Sequence, residues 1–220
     1  MSRAKEASGI GGELMARFLG PKGKIVRKFG ENIFGLKKFD RLLDRKNYKP
    51  GQHGQSRRRR KSNYAMQLSE KQKLKYMYGL LERQFRRFFK MADKMKGNTG
   101  LNLLILLERR LDNVVYRIGF APSRMAARQL VSHRHFLVND RIVNIPSYLV
   151  KPGDEIKVRD QSRKLGIIHD SIKKIKGDLD LPWLSLDKAT LTGKFLEIPE
   201  RDQMGLVDVK EQMIVELYSK

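Results

Sequence analysis

The 220-residue chain contains no cysteine. Disulfides, thiolate nucleophiles and thiolate metal centres are therefore excluded. Long apolar runs are also missing. The longest, Leu103–Leu107, falls far short of the roughly 20 residues that span a bilayer. Met1 to Leu14 holds no apolar core of signal-peptide length, so no secretion signal is expected. Acidic residues are scarce beside basic ones: 24 Asp and Glu against 47 Lys and Arg, a formal net charge of +23. A folded chain carrying that excess repels itself and needs a polyanion. Nucleic acid fits, because each neutralised phosphate also releases a condensed counterion. An anionic membrane would need an apolar span or a strongly amphipathic anchor; the longest apolar run is far too short to cross a bilayer, and no membrane partner is expected. No phosphate-cradling P-loop occurs either.

What is present is unevenly placed. Residues 1–100 hold 27 Lys and Arg against 8 Asp and Glu, whereas residues 101–220 hold 20 against 16. The first half suits bulk electrostatic binding and the second suits recognition by shape. Hydrophobic residues make up 40% of the chain, enough to exclude a wholly disordered polymer.

Residues 1–14 read as a flexible tail, and residues 15–64 as a loop-rich stretch with at most short helices. Gly20-Pro21-Lys22-Gly23-Lys24 and Pro50-Gly51-Gln52-His53-Gly54 punctuate it, and Arg57–Lys61 follows. From Ser69, Ser69-Glu70-Lys71-Gln72 predicts a capping box that opens a helix. Leu74, Met77, Tyr78 and Leu81 continue at helical spacing. After Gly79 a second helix buries Phe85, Phe88 and Phe89, with Arg83, Arg86, Arg87 and Lys90 off that stripe. Base stacking by these phenylalanines is the alternative reading. Lys96-Gly97-Asn98-Thr99-Gly100 is a break. A third helix carries Leu104, Leu107 and Leu111 and extends through Val114, Val115 and Ile118.

Gly119-Phe120-Ala121-Pro122 ends that helix, and Ser123 caps the next. Ala127, Leu130 and Val131 form its buried face, while Arg124 and Arg128, four apart, are expected to share an exposed one. Phe136–Val138 and Arg141–Val143 read as strands around a tight Asn139-Asp140 turn. Lys151-Pro152-Gly153-Asp154 suits a type II turn, and Glu155–Arg159 alternates as a strand. Trp183 is expected to pack within the C-terminal half. Glu108 and Asp112 mimic a paired carboxylate site, but Arg109 and Arg110 are expected to neutralise them, which argues against acid–base chemistry. His133 and His135 have the spacing of a metal pair but no cysteine or carboxylate cluster beside them, so no metal is assigned. Contact with RNA by His133 and packing by His135 are expected instead.

These residues carry a resemblance. Arg110-Leu111-Asp112-Asn113-Val114-Val115-Tyr116-Arg117, Ala127-Arg128-Gln129-Leu130-Val131-Ser132-His133, Val138-Asn139 and Val143-Asn144 resemble the small RNA-binding module named after bacterial ribosomal protein S-four. Some pseudouridine synthases and tyrosyl-tRNA synthetases carry similar modules. The rest of the chain resembles the ribosomal family in order. The segments are Met15–Lys22, Pro50–Gly54, Glu70–Lys73, Leu81–Arg86, Lys96–Gly100 and the closing Ile214–Lys220. The resemblance spans about 15–220.

It implies an α+β fold with four parts: a tail at 1–14, a basic and mostly helical domain at 15–108, a module of two helices on a small antiparallel sheet at 109–195, and a segment at 196–220 that packs back on the helical domain. It implies a structural constituent of the small ribosomal subunit in the cytoplasm, not an enzyme. The protein would bind 16S ribosomal RNA at a multi-helix junction of the five-prime domain early in assembly. It would contact the fifth small-subunit protein and influence decoding accuracy; some members also bind their own messenger RNA. Many members hold zinc through cysteines in the first segment. Here Gly23 and Val26 stand where the first cysteines would be, so a zinc-free form without cofactor is expected. Residues 1–14 precede the usual start, as a real tail or an early start codon would.

The expected RNA contacts in the first half are Lys22, Lys24, Arg27, Lys28, Tyr48, Gly51, Gln52, His53 and Gly54. The run Arg57, Arg58, Arg59, Arg60 and Lys61 joins them, with Tyr64, Lys71, Lys73, Arg83, Arg86, Arg87 and Asn98. In the second half they are Arg117, Ser123, Arg124, Arg128, Gln129, Ser132, His133 and Arg134.

Overall fold

The computed structural model describes Phe18 and residues 20–56, 62–174, 181–206 and 209–219. The elements follow from local chemistry. Helix α1 (Lys22–Phe29) begins after Pro21 and ends at Gly30, whose φ of 78° is left-handed, the usual helix stop. Helix α2 (Lys37–Arg45) packs on it through Phe39. Helix α3 (Asn63–Met77) starts well before the predicted Ser69 box. Its cap is Ser62, whose hydroxyl accepts from the Ala65 N–H at 3.2 Å. Ser69 is therefore a mid-helix residue, and the exposed Ser62 does the capping.

Helix α4 (Glu82–Asp93) buries Phe85, Phe88, Phe89 and Ala92, so the phenylalanine stripe is core. Asn98 caps helix α5 (Thr99–Glu108) by accepting from the N–H groups of Gly100 and Leu101 at 2.8 and 3.2 Å. The predicted long third helix is two helices. Chain 109–111 leaves the helical path to pair with residues 148–150: Val150 N–H donates to Arg109 O at 2.8 Å and Leu111 N–H to Tyr148 O at 2.8 Å. Helix α6 (Leu111–Ile118) then starts afresh and ends at left-handed Gly119.

Helix α7 (Arg124–Ser132) has the predicted cap, Ser123 accepting from Ala126 N–H at 3.3 Å. Strands β1 (Phe136–Val138), β2 (Arg141–Ile142) and β3 (Glu155–Val158) follow. After helix α8 (Gly166–Ile172) come β4 (Leu184–Asp187) and β5 (Thr192–Phe195). The sheet order is β2-β1-β3-β5-β4 with every neighbour antiparallel. Register pairs Leu137 with Ile142 and Lys157, and Ile156 with Gly193. Asn139 and Asp140 sit at φ 49° and 60°, which suits a two-residue hairpin turn and residues tolerant of left-handed backbone. The Asn139 amide then donates to Asp154 at 2.8 Å and its oxygen accepts from Glu155 N–H at 3.0 Å, locking the turn to β3.

Two cores result. One lies between the sheet and helices α6, α7 and α8, with Trp183, Phe136, Phe195 and Phe120 fully buried. Helix α6 lies so close that a Cβ on Gly193 would come within 2.6 Å of Ile118. The other core joins α3, α4 and α5 to the last helix, α9 (Glu211–Tyr218), through Leu74, Phe85, Leu104, Leu107 and Ile214. Tyr218 stacks on Phe89 at 4.4 Å. Phe85 is fully buried in this core, so Phe85→Ala should cost about 3–5 kcal/mol, read as a lower urea midpoint with an unchanged slope.

Candidate nucleic-acid interface

Among the described residues of the first half, three helices carry groups of exposed cations. On α4, Arg83, Arg86, Arg87 and Lys90 are exposed, and Lys94 joins them at its C-cap. Their spacing of three or four puts them on one side, opposite the buried phenylalanines. Lys94 is absent from the sequence-based expectations, although it stands four beyond Lys90. Lys24 and Lys28 are exposed on α1. Lys37, Lys38, Arg41 and Arg45 are exposed on α2. These α2 cations are also absent from the expectations; the i, i+4 pair Arg41 and Arg45 is the signal that could have found them.

The loop after α2 is held from below. Arg27 is half-buried and donates to the carbonyls of Tyr48 and Lys49 at 3.0 and 3.2 Å, with its guanidinium 4.5 Å from the Tyr48 ring. Arg27 and Tyr48 thus fix the loop that presents Gly51, Gln52 and His53 to solvent. Gly54 is required there, since a Cβ would lie 1.9 Å from the Lys49 carbonyl oxygen. Tyr64, 58% exposed, stands in the first turn of α3. Arg57, Arg58, Arg59, Arg60 and Lys61 lie outside the described residues.

Several expected contacts have structural partners instead of open faces. Lys71 and Lys73 are buried because α3 is sandwiched by its neighbours: Lys71 pairs with Glu82 at 2.6 Å and Lys73 with Glu31. The Glu82 carboxyl is raised by burial, but its bonds to Lys71 and Lys75 outweigh this and hold it below the usual range. Asn98 is exposed but spends its oxygen on the α5 cap. The shared exposed face of Arg124 and Arg128 does not exist. Arg128 is buried, because α7 lies against the end of α3, and it donates to Gly79 O at 3.2 Å. Arg124 is half-buried between the rings of Tyr78 and Tyr116, at 4.9 and 4.7 Å. Gln129, His133 and Arg134 are exposed at and beyond the end of α7, and Ser132 bonds back to Arg128 O at 2.9 Å. Arg134 has φ 62°, which turns the chain into β1. His135 bonds Ser162 at 2.8 Å, and burial, then His133 and Arg159, lower its pKa. Among the described residues no group of three or more His, Asp or Glu side chains could hold a metal.

Arg117 belongs to a buried network. It grips Glu108 with two bonds, at 3.1 and 2.7 Å, and donates to Met204 O at 2.6 Å. Glu108 also accepts from Tyr78 at 2.5 Å and from Asn113 at 2.7 Å. Asn113 in turn accepts from Arg124 at 2.7 Å. Arg110 neutralises Asp112, at 3.0 and 2.6 Å, as expected. Arg109 does not neutralise Glu108; it donates to Val150 O at 2.9 Å. Burial alone would push the Glu108 carboxyl up, yet the Arg117 cation and its hydrogen bonds hold it below the usual range. Burial, then Glu108, raises the Tyr78 hydroxyl well above its ordinary value.

An α-helical basic half that leads into two helices on an antiparallel sheet defines a class, and comparison with known proteins identifies it. Residues 17–108 match the model of the ribosomal protein S4/S9 N-terminal domain, and residues 109–156 match the S4 domain. The chain is 55% identical over 206 residues to small ribosomal subunit protein uS4 of Parabacteroides distasonis, 54% to that of Porphyromonas gingivalis and 52% to that of Salinibacter ruber. Each match covers 94% of this chain and all of the relative. The chain belongs to the uS4 family of small ribosomal subunit proteins.

Two outcomes follow from this geometry. Glu108→Gln leaves the Arg117 cation enclosed without its counterion and should cost about 3–5 kcal/mol, read by urea unfolding at neutral pH. Because the folded carboxyl titrates below the unfolded one, charged Glu108 contributes its full stability above the ordinary glutamate range. That contribution should disappear as pH falls through the folded value, and the acid-side decline should be shallower in Glu108→Gln.

Proposed function

We propose that this chain is a structural constituent of the small ribosomal subunit in the cytoplasm. It binds 16S ribosomal RNA at a multi-helix junction of the five-prime domain and helps nucleate assembly. The observation that carries this reading is the cation stripe of α4, from Arg83 to Lys94, mounted on a buried aromatic core. It runs along about 16 Å of helix, at roughly 1.5 Å per residue. A row of cations on one rigid helix can track one phosphate strand, and phosphate contacts of this kind fix register and orientation. The exposed cations of α1 and α2 and the exposed loop at 51–53 offer further contacts. Gln129, His133 and Arg134, presented by the compact module, suit recognition of folded RNA by shape. Family membership supports the ribosomal assignment over other RNA partners.

Within this reading the protein meets other small-subunit proteins, the fifth among them, and influences decoding accuracy. Binding to its own messenger is a further activity of the same surface. The reaction chemistry of an enzyme has no part in it.

Chemical footprinting on naked 16S RNA tests the proposal. The chain should protect a discrete junction in the five-prime domain; equal protection of unrelated structured RNA would overturn it. Replacing Arg86, Arg87 and Lys90 by Ala should weaken binding to all RNAs. It should also flatten the dependence of log K on log salt, by about 0.7–0.9 for each phosphate that the variant no longer neutralises. Neutralising Arg57–Lys61 should act in the same way.

A further inference from the structure

The two cores share no buried residue. Among the described residues of the sheet module, one apolar side chain, Leu149, packs on the helical core. Only Arg109 and Arg110 separate the last residue of α5 from the first of α6. Two compact units joined in this way keep relative motion unless their interface is large and apolar. What crosses between them here is instead a buried polar cluster, built on Glu108 and the end of α3.

Tyr78 and Gly79, which follow α3, meet both helices of the module. The Tyr78 hydroxyl donates to Glu108 at 2.5 Å, and the same carboxylate accepts from Asn113 and Arg117 of α6. From α7, the Arg124 guanidinium lies 4.9 Å from the Tyr78 ring, and Arg128 donates to Gly79 O at 3.2 Å. Without the hydroxyl, Glu108 keeps its bonds to Asn113 and Arg117, so its charge stays compensated. What the hydroxyl adds is a tie from that carboxylate to α3. A hydrogen bond tolerates a narrow range of angles, so a buried one selects an orientation that a polar joint would otherwise leave broad.

We propose that Tyr78 is a positioning residue: its hydroxyl sets the orientation of the sheet module on the helical half, and that orientation selects one folded RNA over others. The inference rests on the ribosomal reading above, in which both halves touch RNA. Phosphate contacts from either half alone carry no sequence information. Two contact surfaces held at one angle reinforce each other only on an RNA whose geometry lets both engage at once. A loosened joint keeps the charge and loses the choice.

Residual dipolar couplings of the full chain, aligned in a neutral gel without RNA, read the orientation directly. In the wild type, amides of α3, α4, α5 and α9 and those of α6, α7 and the sheet should fit one alignment tensor. In Tyr78→Phe the two sets should need separate tensors. Filter binding at one salt concentration reads the consequence. Tyr78→Phe should narrow the ratio of Kd for an unrelated structured RNA to Kd for the five-prime junction about tenfold. Kd for the unrelated RNA should stay within about twofold, and the salt slope should not change, because no phosphate contact is lost. Tyr218→Phe removes a hydroxyl that bonds Glu82 inside the helical half and should match the wild type in both readouts. A wild-type chain that already needs two tensors overturns the inference with no variant required. So does a Tyr78→Phe chain that keeps one tensor or keeps the wild-type ratio within about twofold; the ribosomal reading stands in each case. A wild-type chain with no preference for the junction removes both.

Discussion

The carboxylate of Glu108 is the point on which the two halves of the molecule converge. It closes α5, yet its partners come from the end of α3, through Tyr78, and from α6, through Asn113 and Arg117. Arg117 reaches on to Met204 in the chain leading to α9. A buried charge is tolerable only when it is paired and its remaining lone pairs are engaged. That demand fixes where α6 lies relative to α3 and so fixes the angle at which the sheet module meets the helical one. Arg124, held through Asn113, inherits its position from the same constraint.

Much of this was legible in the sequence because it is local. Gly119, Ser123, the Asn139-Asp140 turn and the Phe85, Phe88, Phe89 stripe each follow from interactions within a few residues. The break at Arg109-Arg110 was not legible, because its cause is pairing with residues about forty positions later. An unbroken leucine pattern cannot reveal that a distant segment will claim the backbone. Ser69 misled for a related reason. A capping box is a possibility of sequence, and the helix extends past it because its earlier turns bury surface against α9.

For the candidate interface, composition located the basic half but could not sort its cations. Judged by charge alone, Lys71, Lys73, Arg117 and Arg128 look like RNA ligands. In space they neutralise Glu82, Glu31 and Glu108 or hold Gly79. The discriminating fact is which face of a helix a later segment covers. For α3 that segment is α9, at the far end of the chain. The stripe on α4 was easier to read, since the phenylalanines beside it already declared which side is inside.

That distance has a consequence for how the molecule is made. Gln67 bonds Glu216 at 2.8 Å, and Ile214 and Tyr218 complete the packing around Phe85 and Phe89. The helical half is thus closed by α9, a segment that follows the sheet module in the chain. Chains fold as they emerge, N-terminal portions leading, so here the sheet module has all its strands in hand before the helical half has its final wall. Until α9 emerges, the core around Phe85 and Phe89 lacks the packing of Ile214 and Tyr218.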